Sequence, residues 1–189
     1  MDSDRNTPGG EKPLPGGGAL DAARAFIALR VAILTVSDTR SPDSDKSGDL
    51  LAGRIAGAGH ILAARTLVRD DPAQIRAALE DWIRDGAVDV VLTTGGTGVT
   101  ARDCTPDVVE SLLTRRLDGF GEHFRRISSE IIGTSALQSR AVGGVADGTF
   151  IFALPGSPSG CRDAWDGVLR WQLDSRVRPC NLAEMLSRL

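Results

Sequence analysis

Short, mostly apolar runs alternate along this chain with segments in which apolar residues recur every three or four positions. The runs cover Val31–Val36, Ile61–Val68, Val88–Thr93 and Thr149–Leu154. Runs of this length, rich in β-branched residues and bounded by polar loops, are typical of strands, and the continuous ones are typical of strands buried on both faces of a sheet. The pattern predicts four strands.

Between these runs, the apolar spacing predicts helices. The clearest helix opens at Asp71 and Pro72, ends by Gly86, and has one apolar face formed by Ile75, Leu79, Trp82 and Ile83. Others are predicted from an N-cap at Ser47 to about Gly57, from an N-cap at Thr105 to a C-terminal turn near Arg115 and Arg116, over Phe120–Ile132, and through Trp165 to about Leu173. Residues 134–148 are rich in small side chains and are expected to be less regular.

Strands that alternate with helices imply right-handed βαβ units. We therefore expect a single domain with a three-layer α/β/α fold and a mostly parallel central sheet. Ligands of such sheets bind beyond the carboxyl ends of the strands. The polar loops after Val36, Val68, Thr93 and Leu154 should consequently lie along one edge.

Composition changes at the N-terminus. Residues 1–25 are Gly-, Pro- and charge-rich, and they contain too little apolar surface to offset the entropy of ordering, so a disordered tail is predicted there. Residues 26–189 are expected to form the folded domain. A partner-binding role for the tail stays open.

Charge and cysteine content exclude several classes of protein. The 189 residues have a formal net charge of −3, which gives no nucleic-acid footprint. No apolar run is long enough to span a membrane. The three cysteines, Cys104, Cys161 and Cys180, form no CxxC pair, which favours reduced thiols in the cytoplasm over disulfides or a zinc site.

The most informative stretch follows the strand at Val88–Thr93. Gly95-Gly96-Thr97-Gly98 can turn backbone N–H groups toward an anion, because glycine adopts the dihedral angles that such a loop needs. Arg102 and Asp103 come next. A carboxylate beside bound phosphates is repelled unless a divalent cation lies between them. Asp70 lies at the carboxyl end of the strand that ends at Val68, so it is expected at the same edge of the sheet. Together, the two acids indicate Mg²⁺ and nucleotide chemistry.

Simpler interpretations stand beside this one. Asp70 and Asp103 could be solvated loop acids, or Asp103 could pair with Arg102. Gly96 to Ala101 fits a loose dinucleotide-binding pattern, so a Rossmann-type dehydrogenase stays a third hypothesis, although the next helix begins late for it. Cys104 is interpreted as a small buried residue rather than a nucleophile.

Several motifs in order resemble the MoaB/MogA family of molybdenum cofactor biosynthesis proteins, and within it the MoaB branch. They are Thr35-Val36-Ser37-Asp38, Thr94-Gly95-Gly96-Thr97-Gly98, Arg102-Asp103-Cys104-Thr105-Pro106-Asp107, Ser139-Arg140 and Leu154-Pro155-Gly156-Ser157. The resemblance extends from about Ile27 to Leu182. It implies a homotrimer or a dimer of trimers, with other molybdenum cofactor biosynthesis proteins as candidate partners.

The resemblance also implies an activity, the adenylylation of molybdopterin by Mg-ATP with release of pyrophosphate. It assigns catalysis and the metal to Asp70 and Asp103. Residues on the nucleotide phosphates would be Gly95, Gly96, Thr97, Gly98 and Arg102. Residues on the pterin side would be Ser37, Asp38, Ser139, Arg140, Gly156 and Ser157.

One departure from the family pattern concerns Ser157. Many active members have Asn or Gln at this position, so contacts there are expected to be weaker. The alternative hypothesis is therefore a non-catalytic protein of the same fold that binds molybdopterin without adenylylating it. Retention of both Asp70 and Asp103 favours the enzyme.

Overall fold

The computed structural model describes residues 12–13 and 18–189 of the chain. The strands are β1 Lys12–Pro13, β2 Ala19–Leu20, β3 Arg30–Val36, β4 Ile61–Val68, β5 Val90–Thr94, β6 Arg115–Arg116, β7 Val142–Ala146, β8 Thr149–Leu154 and β9 Val177–Arg178. The α-helices are α1 Lys46–Gly57, α2 Pro72–Asp85, α3 Thr105–Leu112, α4 Asp118–Ile132, α5 Pro158–Ala164, α6 Arg170–Gln172 and α7 Leu182–Met185. A π-helical turn, Trp165–Leu169, joins α5 to α6.

Six strands form the central sheet in the order β4-β3-β5-β8-β7-β6. The pairs β3–β4, β3–β5 and β5–β8 are parallel, whereas β7 and β6 are antiparallel additions at one edge. The predicted α/β fold with a mostly parallel sheet is confirmed. The predicted strands Ile61–Val68 and Thr149–Leu154 have the same bounds in the structure.

Helices cover both faces of the sheet and define its three layers. Successive residues of β3 alternate between two hydrophobic cores, with Val31 and Ile33 on one side and Ala32 and Leu34 on the other, as the two-residue period of a strand requires. The first core also contains α1, α4 and the α5 region, and the second contains α2 and α3. All four of these β3 side chains are fully buried.

Two sequence predictions are wrong in the region between α3 and β8. Arg115 and Arg116 do not end a helix but form the edge strand β6, because α3 already stops at Leu112. Part of the segment expected to be irregular is the regular strand β7, which pairs with β8 from Val142 opposite Ala153 onward. The two glycines of β7, Gly143 and Gly144, interrupt the apolar pattern from which a strand would be predicted.

Two predicted N-caps also differ. The cap of α1 is Asp45, whose side chain accepts from Gly48 N at 3.0 Å, rather than Ser47. The cap of α3 is Cys104, so Thr105 is the first helical residue and its hydroxyl caps nothing. The predicted cap of α2 is confirmed, because Asp71 accepts from Ala73 N and Gln74 N at 2.8 and 3.0 Å.

Residues 19–24 contact the C-terminal part of the chain. Strand β2 pairs with β9, and Asp21 N donates to Arg176 O at 3.0 Å. Arg24 forms an ion pair with Glu184. The expectation of a disordered tail over residues 1–25 therefore does not hold for residues 12–13, which pair with β2, or for residues 18–25, whereas residues 1–11 and 14–17 lie outside the described part. Within the described residues, no helix has the length and apolar character that crossing a membrane would require.

Candidate functional site

The loops after four parallel strands meet at one edge of the sheet, as the topology predicts. Ser37 N, just after β3, donates to Val68 O at the end of β4 at 2.9 Å. Gly95 N, just after β5, donates to Leu154 O at the end of β8 at 3.3 Å. The candidate residues after these strands are therefore neighbours in space.

The glycine loop is built by two backbone positions that a side chain would obstruct. Gly95 has a φ of 106° and lies so close to β3 that an added Cβ would stand 2.1 Å from Val36 O. Gly96 has a φ of 60°, in the left-handed region that glycine tolerates. Thr105 N donates to Gly96 O at 3.1 Å, which connects the loop to the start of α3.

The carboxylate of Asp103 accepts hydrogen bonds from its own loop. Its Oδ2 accepts from Thr100 Oγ1 at 2.6 Å and from Thr100 N at 2.9 Å. These bonds, with the Thr100 hydroxyl contributing most, hold the pKa of Asp103 below its ordinary value although partial burial opposes them. Asp103 is therefore a charged carboxylate that also shapes the loop, and the side-by-side pair with Arg102 that the sequence left open does not form.

The pKa of Asp70 is shifted in the opposite direction from that of Asp103. Partial burial and, second, the charge of Asp103 raise the pKa of Asp70. No described residue donates a hydrogen bond to its carboxylate, which lies against the Cα of Gly96. Its backbone N donates to Asp38 Oδ1 at 3.3 Å. Asp70 therefore has no counter-ion among the described residues and lies beside a second carboxylate.

The two arginines of the candidate set lie on opposite sides of the loop. Arg102 is exposed and forms an ion pair with Asp38, so the loops after β3 and β5 meet next to Asp70. Arg140 donates from Nη1 to Asp103 O at 3.1 Å and from its backbone N to Thr97 O at 3.3 Å, and it also pairs with Asp107. Arg140 thereby connects both ends of the glycine loop to the segment before β7.

The turn after β8 completes the edge. The Pro155 carbonyl accepts from Thr94 Oγ1 at 2.8 Å, and the Gly156 carbonyl accepts from Arg40 Nη2 at 2.6 Å and from Ser47 Oγ at 2.7 Å. The Ser157 hydroxyl accepts from Gly160 N at 3.1 Å as the N-cap of α5. This turn is fixed by residues from three other segments of the chain.

A cavity of about 250 Å³ lies beside the glycine loop. Thr97 and Gly98 line it on the loop side, and Ser139 and Ser157 line it opposite. The structure thus brings these two expected pterin-side residues together, whereas Asp38 lies with Arg102 and Asp70. Sequence reasoning missed the apolar wall that α4 contributes, formed by Phe124, Ile131 and Ile132. The signal available in the sequence was the pair of adjacent isoleucines, Ile131 and Ile132, at the end of an amphipathic helix, and both are exposed in the structure.

The residues at this edge fit a magnesium ion with few protein ligands. Within the described residues, no group of three or more His, Cys, Asp or Glu side chains is arranged to hold a metal. Mg²⁺ needs no such group, because it commonly uses one or two carboxylates together with water and substrate phosphates. Asp70, which has no counter-ion among the described residues and lies next to Asp103 and the glycine loop, could supply such a carboxylate ligand.

Comparison with known proteins gives a consistent result. A family model described as a probable molybdopterin binding domain matches residues 32–175. Molybdenum cofactor biosynthesis protein B of Escherichia coli strain K12 is 48% identical over 163 residues, which are 86% of this chain and 96% of that protein.

Solved structures agree. A crystal structure of a molybdenum cofactor biosynthesis protein B has a TM-score of 0.77 and 42% identity, covering 79% of this chain and 94% of that one. A structure of MogA has a TM-score of 0.69 and 31% identity, covering 84% and 99%. These matches confirm the resemblance that the motifs indicated. The chain belongs to the MoaB/MogA family of molybdenum cofactor biosynthesis proteins.

Proposed function

We propose that this protein adenylylates molybdopterin with Mg-ATP. An oxygen of the terminal phosphate of molybdopterin attacks the α-phosphorus of ATP, and a new phosphoanhydride bond forms. The bond between the α-phosphorus and the bridging oxygen to the β-phosphorus breaks, and pyrophosphate leaves with the electron pair. The attacking phosphate is already anionic, so no strong base is required.

The observation that carries this proposal is the carboxylate of Asp70, for which the described part of the chain offers neither a counter-ion nor a hydrogen-bond donor. It is partly desolvated, faces Gly96, and lies close enough to Asp103 for the second charge to raise its pKa. Two acids at an anion-binding loop are unfavourable without a cation, and that arrangement supports Mg-nucleotide chemistry. Bound Mg²⁺ would neutralise charge on the phosphates and orient them.

The remaining residues of the site would bind and orient the substrates. Gly95 N already donates to Leu154 O, so the backbone N–H groups of residues 96–98 would receive the nucleotide phosphates. Arg102 could move onto them because it is exposed and, among the described residues, pairs only with Asp38. The cavity between Thr97 and Ser157 would receive the pterin. Arg140 would hold the loop in position through Thr97 and Asp103.

The test is an adenylylation assay with purified protein, molybdopterin and ATP, in which adenylyl-molybdopterin and pyrophosphate are both measured. We expect stoichiometric production of the two with Mg²⁺, and none when chelator removes the divalent cation. No turnover at near-stoichiometric protein concentration would contradict the proposal.

The second candidate function is molybdopterin binding without adenylylation. It is favoured by Ser157, whose hydroxyl is used as a helix cap at a position where many active relatives have Asn or Gln. Calorimetry separates the two candidates, because the binding protein would take up molybdopterin with no detectable binding of Mg-ATP.

We also infer that the protein assembles as a homotrimer or a dimer of trimers. Large apolar side chains that stay exposed in the single chain support assembly, among them Leu137 at 83% exposure and Val99 at 68%. Light scattering after size-exclusion chromatography measures the state. A monomeric mass would contradict this inference.

A further inference from the structure

Two polar groups that have no hydrogen-bond partner within residues 12–13 and 18–189 lie next to Gly96. Thr105 is completely buried, and within the described residues its Oγ1 has no hydrogen-bond partner. A Cβ placed on Gly96 would stand 2.4 Å from Thr105 Oγ1 and 2.9 Å from Asp70 Oδ1. Both oxygens therefore lie against the same Cα, and the missing side chain of Gly96 is what allows them to approach.

The hydroxyl of Thr105 does not cap helix α3. The N-cap of this helix is Cys104, no side-chain cap bond forms, and the link between α3 and the loop is made by Thr105 N instead. A buried hydroxyl without a partner is rare because its lost hydration is not compensated. The Thr105 hydroxyl can supply the hydrogen-bond donor that the neighbouring Asp70 carboxylate lacks among the described residues.

We propose that Thr105 is a positioning residue for Asp70. Its hydroxyl donates a hydrogen bond to the Asp70 carboxylate when Mg-nucleotide is bound, and this bond fixes the carboxylate toward the cation. The inference rests on the proposed function, since it assigns Asp70 to the metal. It adds a residue outside the set of site residues derived from the sequence.

The test uses one threonine variant that keeps the shape of the side chain and one that keeps its hydroxyl. Thr105→Val removes the hydroxyl, and Thr105→Ser keeps it. The matched control is Thr93→Val in β5, because Thr93 is also fully buried and its Oγ1 also has no partner within the described residues. Two readouts are measured, the midpoint of denaturant unfolding without ligand and the Kd of Mg-ATP by calorimetry.

We expect both valine variants to be at least as stable as the unsubstituted protein, because each loses only an unsatisfied polar group. Only Thr105→Val should bind Mg-ATP more weakly, by about tenfold or more, which corresponds to about 1.4 kcal/mol. Thr105→Ser should restore binding to within about threefold. Without Mg²⁺, ATP affinity should be the same in all four proteins.

The outcomes separate this inference from the proposed function. Unchanged Mg-ATP affinity in Thr105→Val, with normal binding by the unsubstituted protein, overturns the role of Thr105 alone. A marked loss of stability in Thr105→Val overturns it as well, because the hydroxyl would then have a partner in the ligand-free protein. If the unsubstituted protein does not bind Mg-ATP, both the inference and the proposed function fail.

Discussion

Arg40 Nη2 donates to the carbonyl oxygen of Gly156 at 2.6 Å across 116 residues of sequence. Ser47 Oγ donates to the same oxygen at 2.7 Å. The segment after β3 thus holds the turn after β8, and Gly156 in turn lies against the glycine loop, because an added Cβ would be 3.2 Å from the Cα of Gly95. The three loops form one connected unit.

Removing the Arg40 donor should disturb this unit more than the fold. We expect Arg40→Met to raise KM for the substrates several-fold, since a hydrogen bond from a charged group contributes about 1.5–3 kcal/mol. Steady-state kinetics measures this effect. Arg54→Met is the control, because Arg54 pairs at the surface with Asp166, and equal effects of the two substitutions would contradict the role of Arg40.

Asp45 is the buried centre of the same region. It accepts from Thr35 Oγ1 at 2.7 Å, from Gly48 N at 3.0 Å and from Arg65 Nη2 at 2.8 Å. Asp45→Asn should lower the free energy of unfolding by about 3 kcal/mol, because it leaves donors unpaired in the interior. Denaturant unfolding measures this value. Asp49→Asn removes the exposed partner of Arg65 and should cost less than about 1 kcal/mol.

Asp45 should also contribute to acid denaturation. Burial alone would raise its pKa, but the hydrogen bonds from Arg65, Thr35 and Gly48 outweigh burial and hold the pKa below its ordinary value. The stability that it contributes is therefore complete above the unfolded-state pKa of about 3.9 and is lost as the pH falls through the folded-state pKa. Unfolding measured from pH 6 to 2 should show a shallower acid decline in Asp45→Asn. An unchanged slope would contradict this assignment.

His60 should make stability depend on pH near neutrality. Its ring is buried between Phe26 and Trp165, and its Nδ1 accepts from Leu29 N at 3.2 Å, which requires the neutral form. Burial lowers the pKa of His60, although the charge of Asp174 opposes this. As the pH falls, His60 is therefore protonated in the unfolded state before it is protonated in the folded state. The free energy of unfolding should fall as the pH drops from about 7 through the unfolded-state pKa of about 6.5.

Urea unfolding at pH 5.5–8 tests this prediction. His60→Gln should flatten the pH dependence in this window, because glutamine does not titrate and its side-chain oxygen can accept from Leu29 N. His123→Gln is the control, because His123 is the other of the two histidines and contacts Arg126 at the exposed surface. If the His60 and His123 variants keep the same pH dependence as the unsubstituted protein, His60 is not the responsible group.

Asp103 combines loop structure with charge, and two substitutions separate these roles. Asp103→Asn keeps an oxygen that can accept from Thr100, whereas Asp103→Ala removes it. We expect both variants to lose adenylylation by about 100-fold or more, because the charge is gone in both. Hydrogen exchange at residues 98–104 should be faster only in Asp103→Ala. Normal turnover by Asp103→Asn would show that its charge is not required.

The sequence predicted the parallel strands β3, β5 and β8 because they are buried on both faces and therefore have a strong apolar pattern. Strand β4 was predicted from its composition and its bounding loops, although its side chains are exposed or only partly buried. Strand β7 was missed for a physical reason. Gly143 makes room for the Phe152 ring, since an added Cβ would lie 2.4 Å from Phe152 Cδ1, and Gly144 makes room for the Arg115 carbonyl at 2.3 Å. Tertiary packing selects these glycines, whereas local preference counts against a strand.

The same distinction applies to the site. The rule that ligand-binding loops follow the carboxyl ends of parallel strands placed Asp70 and Asp103 at the same edge of the sheet from the sequence alone. It could not show that Asp103 bonds Thr100 while Asp70 lacks a partner, because those differences depend on loop conformation. The contacts of Arg140 with Thr97 and Asp103, formed across 37 residues or more, were equally inaccessible.

We propose above that Asp70 binds the cation of an Mg-nucleotide at the glycine loop. The most direct test of this claim compares Asp70→Asn with Asp71→Asn, since Asp71 is the adjacent helix cap and asparagine also caps helices. The measurement is the rate of adenylyl-molybdopterin formation as a function of Mg²⁺ concentration. We predict that Asp70→Asn loses about 100-fold or more while Asp71→Asn keeps a normal rate and Mg²⁺ dependence. Equal rates for Asp70→Asn and the unsubstituted protein at every Mg²⁺ concentration would contradict the claim.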